Sequence, residues 1–459
     1  MPDTAVHDRW WLSSAEGHAQ LAPRLLEAFL RDLVSCERAQ REPLRLRQVL
    51  DLWVAVGERE WAAATLAPAT LNWLTATPQP LPEPVLPGIA LAAPGLTEWL
   101  AWLATRPALW SEWLALGGAW QEGAASLAAL VAAGRCEPGA NPRESMWRCG
   151  NACLWRYSPP LKRRRGPPVV VVYSLINRPE VLDLAPGHSL IGALLSQGHE
   201  VWLLDWGEPL APVDLRPLEA LLLEVVVPAV AFVCAARRCR AVDLLGVCQG
   251  GTLALVYASL PMARVRRLVT MVTPVSFAPS PHLLGRWATA LAGELDRVGT
   301  QEFAARGNLA ASSLHQGFVA LRPFQLGFQK YLGVADHADD PDWLQQFGRM
   351  ERWIASGPAQ PALASAEFLG LSYGRNALWN DQWRVGDLSA QLEQVRAPVC
   401  NLYALRDHLV PPAQTTVLEQ RLPAPQYRAH AFDGGHIGIF TSRRATLEVF
   451  PAVAAFLRS

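Results

Sequence analysis

Two patterns of apolar positions divide the chain near residue 140. Before that point, apolar residues recur at intervals of three and four, which is the spacing of an amphipathic helix. This spacing predicts helices over the following segments: 25–34, 46–66, 96–103 and 109–133. The proline-rich segment 78–87 interrupts them and is expected to be an extended linker. Gly134 and the Pro138–Gly139 pair are stop signals, so we predict a helical, Trp-rich N-terminal domain over residues 1–140.

After residue 140 the pattern changes to short apolar runs that alternate with helical segments. Five such runs predict buried strands over the following segments: 169–173, 201–205, 241–246, 267–272 and 398–403. Helical spacing predicts helices over 189–197, 217–236 and 251–260. Apolar strands alternating with helices are typical of a parallel sheet that is covered on both faces. The sequence therefore predicts a doubly wound, mostly parallel α/β domain over residues 141–459.

A long segment interrupts this alternation before the last predicted strand. Residues from about 275 to 396 are rich in aromatic side chains and mostly helical in pattern. In an α/β enzyme, an insertion at this point is placed to cover the active site. We therefore predict that residues 275–396 form a lid on the α/β domain.

Charge and hydropathy exclude two classes of function. Basic and acidic residues balance at 41 each, which gives no overall positive field for binding nucleic acid. The longest apolar run, 225–236, contains Pro228 and is shorter than the roughly 20 residues that cross a bilayer. It is expected to be a buried helix packed on the sheet, and no transmembrane segment is predicted.

The eight cysteines bear on compartment and on metal binding. The first residues of the chain lack the apolar run of a secretory leader, so a cytoplasmic location with free thiols is expected. No Cys or His cluster has the spacing of a zinc site, and we predict neither a metal nor another cofactor. Most of the cysteines are expected to be small buried apolar residues.

One cysteine lies in a motif that carries catalytic chemistry. Gly246, Cys248 and Gly250 form a G-x-C-x-G motif between a predicted strand and a predicted helix. This is the nucleophile elbow of the α/β-hydrolase fold with Cys in place of Ser, and its glycines permit a strained turn and a close backbone approach. The N-terminus of the following helix favours negative charge on the sulfur. We therefore predict that Cys248 is the nucleophile.

The acid and the base follow the nucleophile in this fold, in that order. Asp407 comes directly after the last predicted strand, and His436 lies in a glycine-rich loop before the final helix. This order predicts a catalytic triad of Cys248, Asp407 and His436. His408 remains an alternative base, and Asp433 is expected to form a turn.

Two backbone N–H groups are expected to stabilise the oxyanion that forms during acyl transfer. One belongs to Gln249, which follows the nucleophile. The other comes from the loop after the first predicted strand, where Ile176 and Asn177 are both candidates. The sequence alone does not choose between these two residues.

These motifs and several longer stretches resemble the polyhydroxyalkanoate synthases, most closely the catalytic chain of the two-subunit (class III) type. The similar stretches occur in order between residues 142 and 459: INRPEVLDL (176–184), LLDWG (203–207), GVCQGG (246–251), TMVTPV (270–275), LRPFQLGFQKY (321–331), RMERWI (349–354), DHLVPP (407–412) and GGHIG (434–438). The resemblance implies an acyltransferase that polymerises (R)-3-hydroxyacyl-CoA and releases CoA, with short monomers such as 3-hydroxybutyryl. It also implies that Cys248 carries the growing chain as a thioester. His436 would then be the base, and Asp407 would orient it or help to activate the incoming 3-hydroxyl group.

The resemblance extends to partners and leaves alternatives open. It implies binding to the surface of cytoplasmic polymer granules, while a homodimer and a second synthase subunit are open alternatives. Residues 46–61 are similar to part of the family's partner subunit, so the first 140 residues are either a fused partner-like module or an unrelated helical cap. The alternative functions are an esterase, thioesterase or polyhydroxyalkanoate depolymerase of the same fold, and a non-catalytic granule-associated scaffold.

Overall fold

The computed structural model describes residues 24–40, 44–64, 96–160, 166–278, 280–422 and 426–459. The described residues belong to two compact units. The first unit is drawn from Met1–Glu137 and Ser312–Glu351, and the second from Pro138–Ala311 and Arg352–Ser459. The predicted linker at 78–87 lies outside the described residues.

An eight-stranded sheet forms the centre of the second unit. Its strands, numbered along the chain, are β1 (Glu144–Cys149), β2 (Ala152–Tyr157), β3 (Val169–Val172), β4 (Val201–Asp205), β5 (Val242–Val247), β6 (Val265–Met271), β7 (Val399–Ala404) and β8 (Tyr427–Phe432). They are arranged in the order β1-β2-β4-β3-β5-β6-β7-β8. All neighbouring pairs are parallel except β1–β2 and β2–β4. This confirms the predicted mostly parallel sheet, because the five predicted strands are β3 to β7.

Three strands of the sheet were missed by the sequence pattern. Strands β1 and β2 form an antiparallel hairpin whose turn contains Gly150, at a φ of 57°. Strand β8 lies at the other edge of the sheet, and only Phe432 among its residues is buried. Strands β1 and β8, in which at most one residue is buried, do not produce the continuous apolar runs that identified β3 to β7. Strand β2 is mostly buried, and Arg156 interrupts its apolar residues.

The helices and short strands of the second unit surround this sheet. The helices are Pro179–Leu182, Leu190–Ser196, Leu218–Ala220, Leu221–Val226, Val227–Arg237, Gln249–Ser259, Leu283–Val298, Thr300–Ala304, Ala362–Leu369, Gly370–Gly374, Leu392–Gln394, Pro412–Thr415, Thr416–Gln420, Gly438–Thr441 and Arg443–Arg458. Two small antiparallel pairs add Asp183–Ala185 with His188–Ser189, and Arg384–Val385 with Leu388–Ser389.

One described helix, Leu218–Arg237, is long and apolar enough to cross a membrane by length and composition. This helix matches the helix predicted over 217–236, although it contains Pro228 and a proline usually interrupts a helix. Here the turn before Pro228, Leu221–Val226, has the wider π-helical form, and the helix continues past the proline. Half of the helix is buried, and residues such as Leu222 and Val230 belong to the core around the sheet.

The first unit is helical. Its helices are 24–40, Leu46–Ala64, Leu96–Ala104, Pro107–Ala132, Ala311–Leu321, Gln325–Gln329, Lys330–Asp336 and Pro341–Ala355, the last of which continues into the second unit. Trp53, Trp99 and Phe324 are buried in one hydrophobic core. Residues 312–351, inside the expected lid, therefore share a core with the N-terminal helices. The domain limits at 140 and at 275–396 stay predictions.

Candidate active site

Cys248 occupies the sharp turn between β5 and the helix Gln249–Ser259. Its φ of 52° and ψ of −125° are strained for a residue with a side chain. The neighbouring glycines are required by close contacts. A Cβ atom on Gly250 would collide with the carbonyl of Tyr173, and one on Gly251 would collide with the side chain of Thr273. The strain thus falls on the cysteine itself, while the glycines let the turn pack against the adjacent strands.

Three of the predicted residues come together beside this turn. Nδ1 of His436 lies 2.7 Å from Oδ2 of Asp407, and both side chains are buried. The N–H groups of Leu409 and Val410 donate to Oδ1 of Asp407 at 2.8 and 2.9 Å, which fixes the carboxylate after β7. The side chain of Cys248 lies close enough to the imidazole of His436 to raise its pKa. The structure thus brings Cys248, His436 and Asp407 together, and their catalytic roles stay a prediction.

The electrostatics of this chain favour a charged histidine. Burial lowers the pKa of His436, but the neighbouring side chains of Asp407 and Cys248 outweigh burial and raise the pKa to about 10. In cysteine enzymes, a protonated imidazole beside the nucleophile favours negative charge on its sulfur. The raised pKa of His436 is compatible with that arrangement.

The two residues near Asp407 and His436 that the sequence offered as alternatives, Asp433 and His408, lie in different environments. Asp433 is exposed, and its carboxylate forms ion pairs with Arg406 and Arg444 at 3.1 Å each. His408 is partly exposed in the turn that carries Asp407. The carboxylate that hydrogen-bonds His436 is therefore Asp407, which comes from a different loop.

The predicted oxyanion residues lie on two connected segments. Gln249 is the first residue of the helix after the nucleophile, where backbone N–H groups have no partner within the helix. On the loop after β3, the N–H of Ile176 donates to Oγ of Ser174 at 3.0 Å, and Asn177 has a φ of 61°. The side chain of Gln249 accepts the N–H of Leu175 at 3.1 Å, so the two segments are tied together.

Two further side chains near the triad carried no signal in the sequence. Burial, and to a smaller extent the nearby Cys248, raises the pKa of Tyr373. Burial lowers the pKa of His282, which is also close enough to feel the charge of Asp407. Both residues come from the inserted segment, where single tyrosines and histidines have no motif around them.

The described residues contain no group of three or more His, Cys, Asp and Glu side chains that could hold a metal ion. All eight cysteines lie in the described part and have free thiols. Four of them, Cys136, Cys153, Cys234 and Cys400, are buried, whereas Cys248 is partly exposed. Cys248 is therefore less buried than these four cysteines.

Comparison with known proteins agrees with the fold and identifies the family. The α/β hydrolase fold model matches residues 224–442. A poly(3-hydroxyalkanoate) polymerase subunit PhaC from Thiocystis violacea is 36% identical over 329 residues, covering 72% of this chain and 91% of that protein. The chain belongs to the poly(3-hydroxyalkanoate) polymerase family. Its PhaC relative from Synechocystis sp. is 37% identical over 321 residues, covering 70% of this chain and 85% of that protein.

Membership in the polymerase family confirms the resemblance that the sequence motifs indicated, and makes this chain an acyltransferase-type enzyme. Among solved structures, a hydrolase from Pseudomonas aeruginosa is similar with a TM-score of 0.44 at 14% identity, covering 70% of this chain and all of that one. The match to the Thiocystis polymerase subunit leaves roughly 130 residues of this chain unmatched. This length is close to that of the helical segment before residue 140.

Proposed function

We propose that the chain polymerises (R)-3-hydroxyacyl-CoA on Cys248, with CoA as the leaving group and 3-hydroxybutyryl as the preferred monomer. The observation that carries the proposal is the buried pair of His436 and Asp407 at 2.7 Å, close to the Cys248 side chain, in a member of the polymerase family. Because its product is apolar and insoluble, the enzyme would act at the surface of cytoplasmic polymer granules.

The first half of the reaction transfers the acyl group to the enzyme. The Cys248 thiolate attacks the thioester carbonyl, the bond to the CoA sulfur breaks, and His436 gives its proton to the departing CoA thiolate. Exchange of one thioester for another keeps the acyl group activated. The N–H of Gln249 and that of Ile176 or Asn177 would stabilise the oxyanion.

The second half elongates the polymer. His436 takes the proton of a 3-hydroxyl group, whose oxygen attacks the Cys248 thioester. An ester bond forms, and the cysteine leaves as a thiolate beside protonated His436. Water competes with the hydroxyl group, so exclusion of water by the inserted segment would decide between polymer and hydrolysis.

The first test uses the purified chain alone with (R)-3-hydroxybutyryl-CoA, following CoA release together with turbidity. We expect CoA release accompanied by insoluble polymer. Release of CoA with only free 3-hydroxybutyrate would identify a thioesterase and contradict the proposal.

With (R)-3-hydroxyoctanoyl-CoA we expect CoA release to be at least about 10-fold slower than with (R)-3-hydroxybutyryl-CoA, since methylene groups that fit a pocket poorly cost that much in rate.

We further propose that the N-terminal helices serve as a built-in partner module. The relatives are named as subunits, and a second subunit remains the alternative for this chain. Helix Leu46–Ala64 contacts the inserted segment 312–351 through polar groups as well as apolar ones. Glu58 accepts the N–H of Gln325 at 2.8 Å, and Nε1 of Trp61 donates to the carbonyl of Ala320 at 2.8 Å. Such contacts support a module that stabilises the insertion within one chain.

The substitution Trp53→Ala tests whether packing between the N-terminal helices and the segment 312–351 stabilises the first unit. The indole is 1% exposed and meets Phe324 edge-on at 6.1 Å between ring centroids, so its loss leaves a large cavity. We expect the free energy of unfolding in urea to fall by about 3–5 kcal/mol. Arg47→Ala on the same helix is the control, because its exposed ion pair with Asp336 contributes less than about 1 kcal/mol. Equal free energies of unfolding for Trp53→Ala and Arg47→Ala would contradict the proposal that the N-terminal helices stabilise the inserted segment.

A further inference from the structure

The loop between β3 and the helix Pro179–Leu182 carries both candidate oxyanion N–H groups. A peptide group in a loop rotates unless something holds it, whereas an oxyanion hole works only when its donors already point at the reacting atom. The peptide groups on either side of Leu175 are held. The N–H of Leu175 donates to Oε1 of Gln249 at 3.1 Å, and its carbonyl accepts a hydrogen bond from Nε2 of Gln360.

The bond from Gln360 fixes the direction of the Ile176 N–H. The carbonyl of Leu175 and the N–H of Ile176 belong to one planar trans peptide, so they point in opposite directions. Holding the oxygen therefore orients the N–H. The N–H now donates to Oγ of Ser174 at 3.0 Å, but an oxyanion is a stronger acceptor than a neutral hydroxyl. The N–H of Ile176 can thus exchange Oγ of Ser174 for the oxyanion as its acceptor when negative charge develops during acyl transfer.

Gln360 is itself firmly placed. The residue is 2% exposed, and its backbone pairs with that of Leu309 in both directions, at 2.8 and 3.1 Å. The segment before it, 353–360, also holds the far end of the loop. Nε1 of Trp353 donates to the carbonyl of Arg178 at 2.7 Å, and Nε of Arg178 donates to the carbonyl of Ser356 at 2.6 Å. The loop is therefore braced by one rigid segment along its length.

We infer that Gln360 is a positioning residue for acyl transfer, and that the N–H it orients, that of Ile176, is the second oxyanion donor. Gln360 does not touch the reacting atoms and acts through the Leu175 carbonyl. The inference rests on the proposed function, because it requires an oxyanion to form at Cys248.

The test is Gln360→Met, which keeps the length of the side chain and removes its donor. We expect kcat for CoA release to fall about 10- to 100-fold with KM within about 2-fold of wild type, since loss of a direct oxyanion donor costs about 100- to 1000-fold. Alkylation of Cys248 by iodoacetamide forms no oxyanion, so its rate, followed on the Cys248 peptide by mass spectrometry, should match wild type. Gln394→Met, at an exposed glutamine, is the matched control.

The outcomes separate this inference from the proposed function. An unchanged kcat in Gln360→Met would overturn the inference and leave the polymerase proposal intact. A parallel loss of alkylation would also overturn it, because the substitution would then have disturbed Cys248 itself. A wild-type enzyme that keeps full activity after alkylation of Cys248 would overturn the proposed nucleophile, and the inference with it.

Discussion

Cys248→Ala is expected to lower kcat for CoA release by about 10⁵-fold or more, because loss of a covalent nucleophile removes the acyl-enzyme pathway altogether. The thiol is the only reacting group that the substitution removes, and the hydrogen-bonded pair of His436 and Asp407 stays in place. Alanine has no larger side chain to fit at the positive φ of this turn. We therefore expect unchanged circular dichroism and an unchanged melting temperature beside the loss of activity in the CoA assay.

Another cysteine of the sheet provides the control for this variant. Cys400 lies in β7 and is buried, which raises the pKa of its thiol to about 11. Cys400→Ala should keep kcat within about 3-fold of wild type, since this thiol has no catalytic partner in the proposal. CoA release by Cys248→Ala at more than a few per cent of the wild-type rate would contradict covalent catalysis at this residue.

Asp407→Asn is expected to lower kcat by about 10⁴-fold, the size of effect seen when an orienting carboxylate is replaced in a related triad. An amide in place of the carboxylate removes the negative charge that favours the protonated imidazole. Because Asp407 is the largest of the influences that raise the pKa of His436 to about 10, that pKa should fall in the variant. A neutral imidazole favours negative charge on the neighbouring sulfur less than a protonated one does. We therefore expect alkylation of Cys248 to be slower than in the wild type at pH 7 and to recover as the pH rises.

The pKa of His436 can be followed by NMR of histidine-labelled protein, together with the pH profile of alkylation. Asp433→Asn is the matched control, because it changes a carboxylate in the loop of His436 that is exposed and paired with arginines. We expect this control to leave kcat and the pH profile unchanged. If Asp407→Asn left the pKa of His436 where it is in wild type, the proposed role of Asp407 would fail.

Five strands of the sheet and the sharp turn at Cys248 were predictable because their signals are local. Strands β3 to β7 are continuous apolar runs, and the elbow is marked by glycines that the contacts of Gly250 and Gly251 require. Strand β8 was missed because its sequence, YRAHAF, mixes polar and apolar residues at an edge where only Phe432 is buried. Strand β1 was missed for the same reason, since three of its six residues are exposed and none is fully buried.

The features that could not be predicted from the sequence depend on contacts between residues far apart in the chain. The carbonyl that Gln360 holds belongs to Leu175, 185 residues earlier, and no spacing rule connects the two. Tyr373 and His282 are likewise brought to the triad by tertiary structure alone. For residues 312–351, the pattern indicated aromatic-rich, mostly helical sequence but not what it packs against, because the residues that complete its core lie far away in the N-terminal helices.

The shared core of the first unit is relevant to how such an enzyme could evolve by splitting one gene into two or by fusing two genes into one. Phe324, Phe328 and Leu332 complete a core whose other residues, Trp53 and Trp99 among them, come from before residue 140. A gene split near that boundary would give two polypeptides that each hold part of one core, and burial of apolar surface would drive them together. Fusion of the two polypeptides would replace their bimolecular association by an intramolecular contact at an effective concentration of about millimolar. A single chain would thereby fix a one-to-one ratio of the two parts and make their association independent of protein concentration.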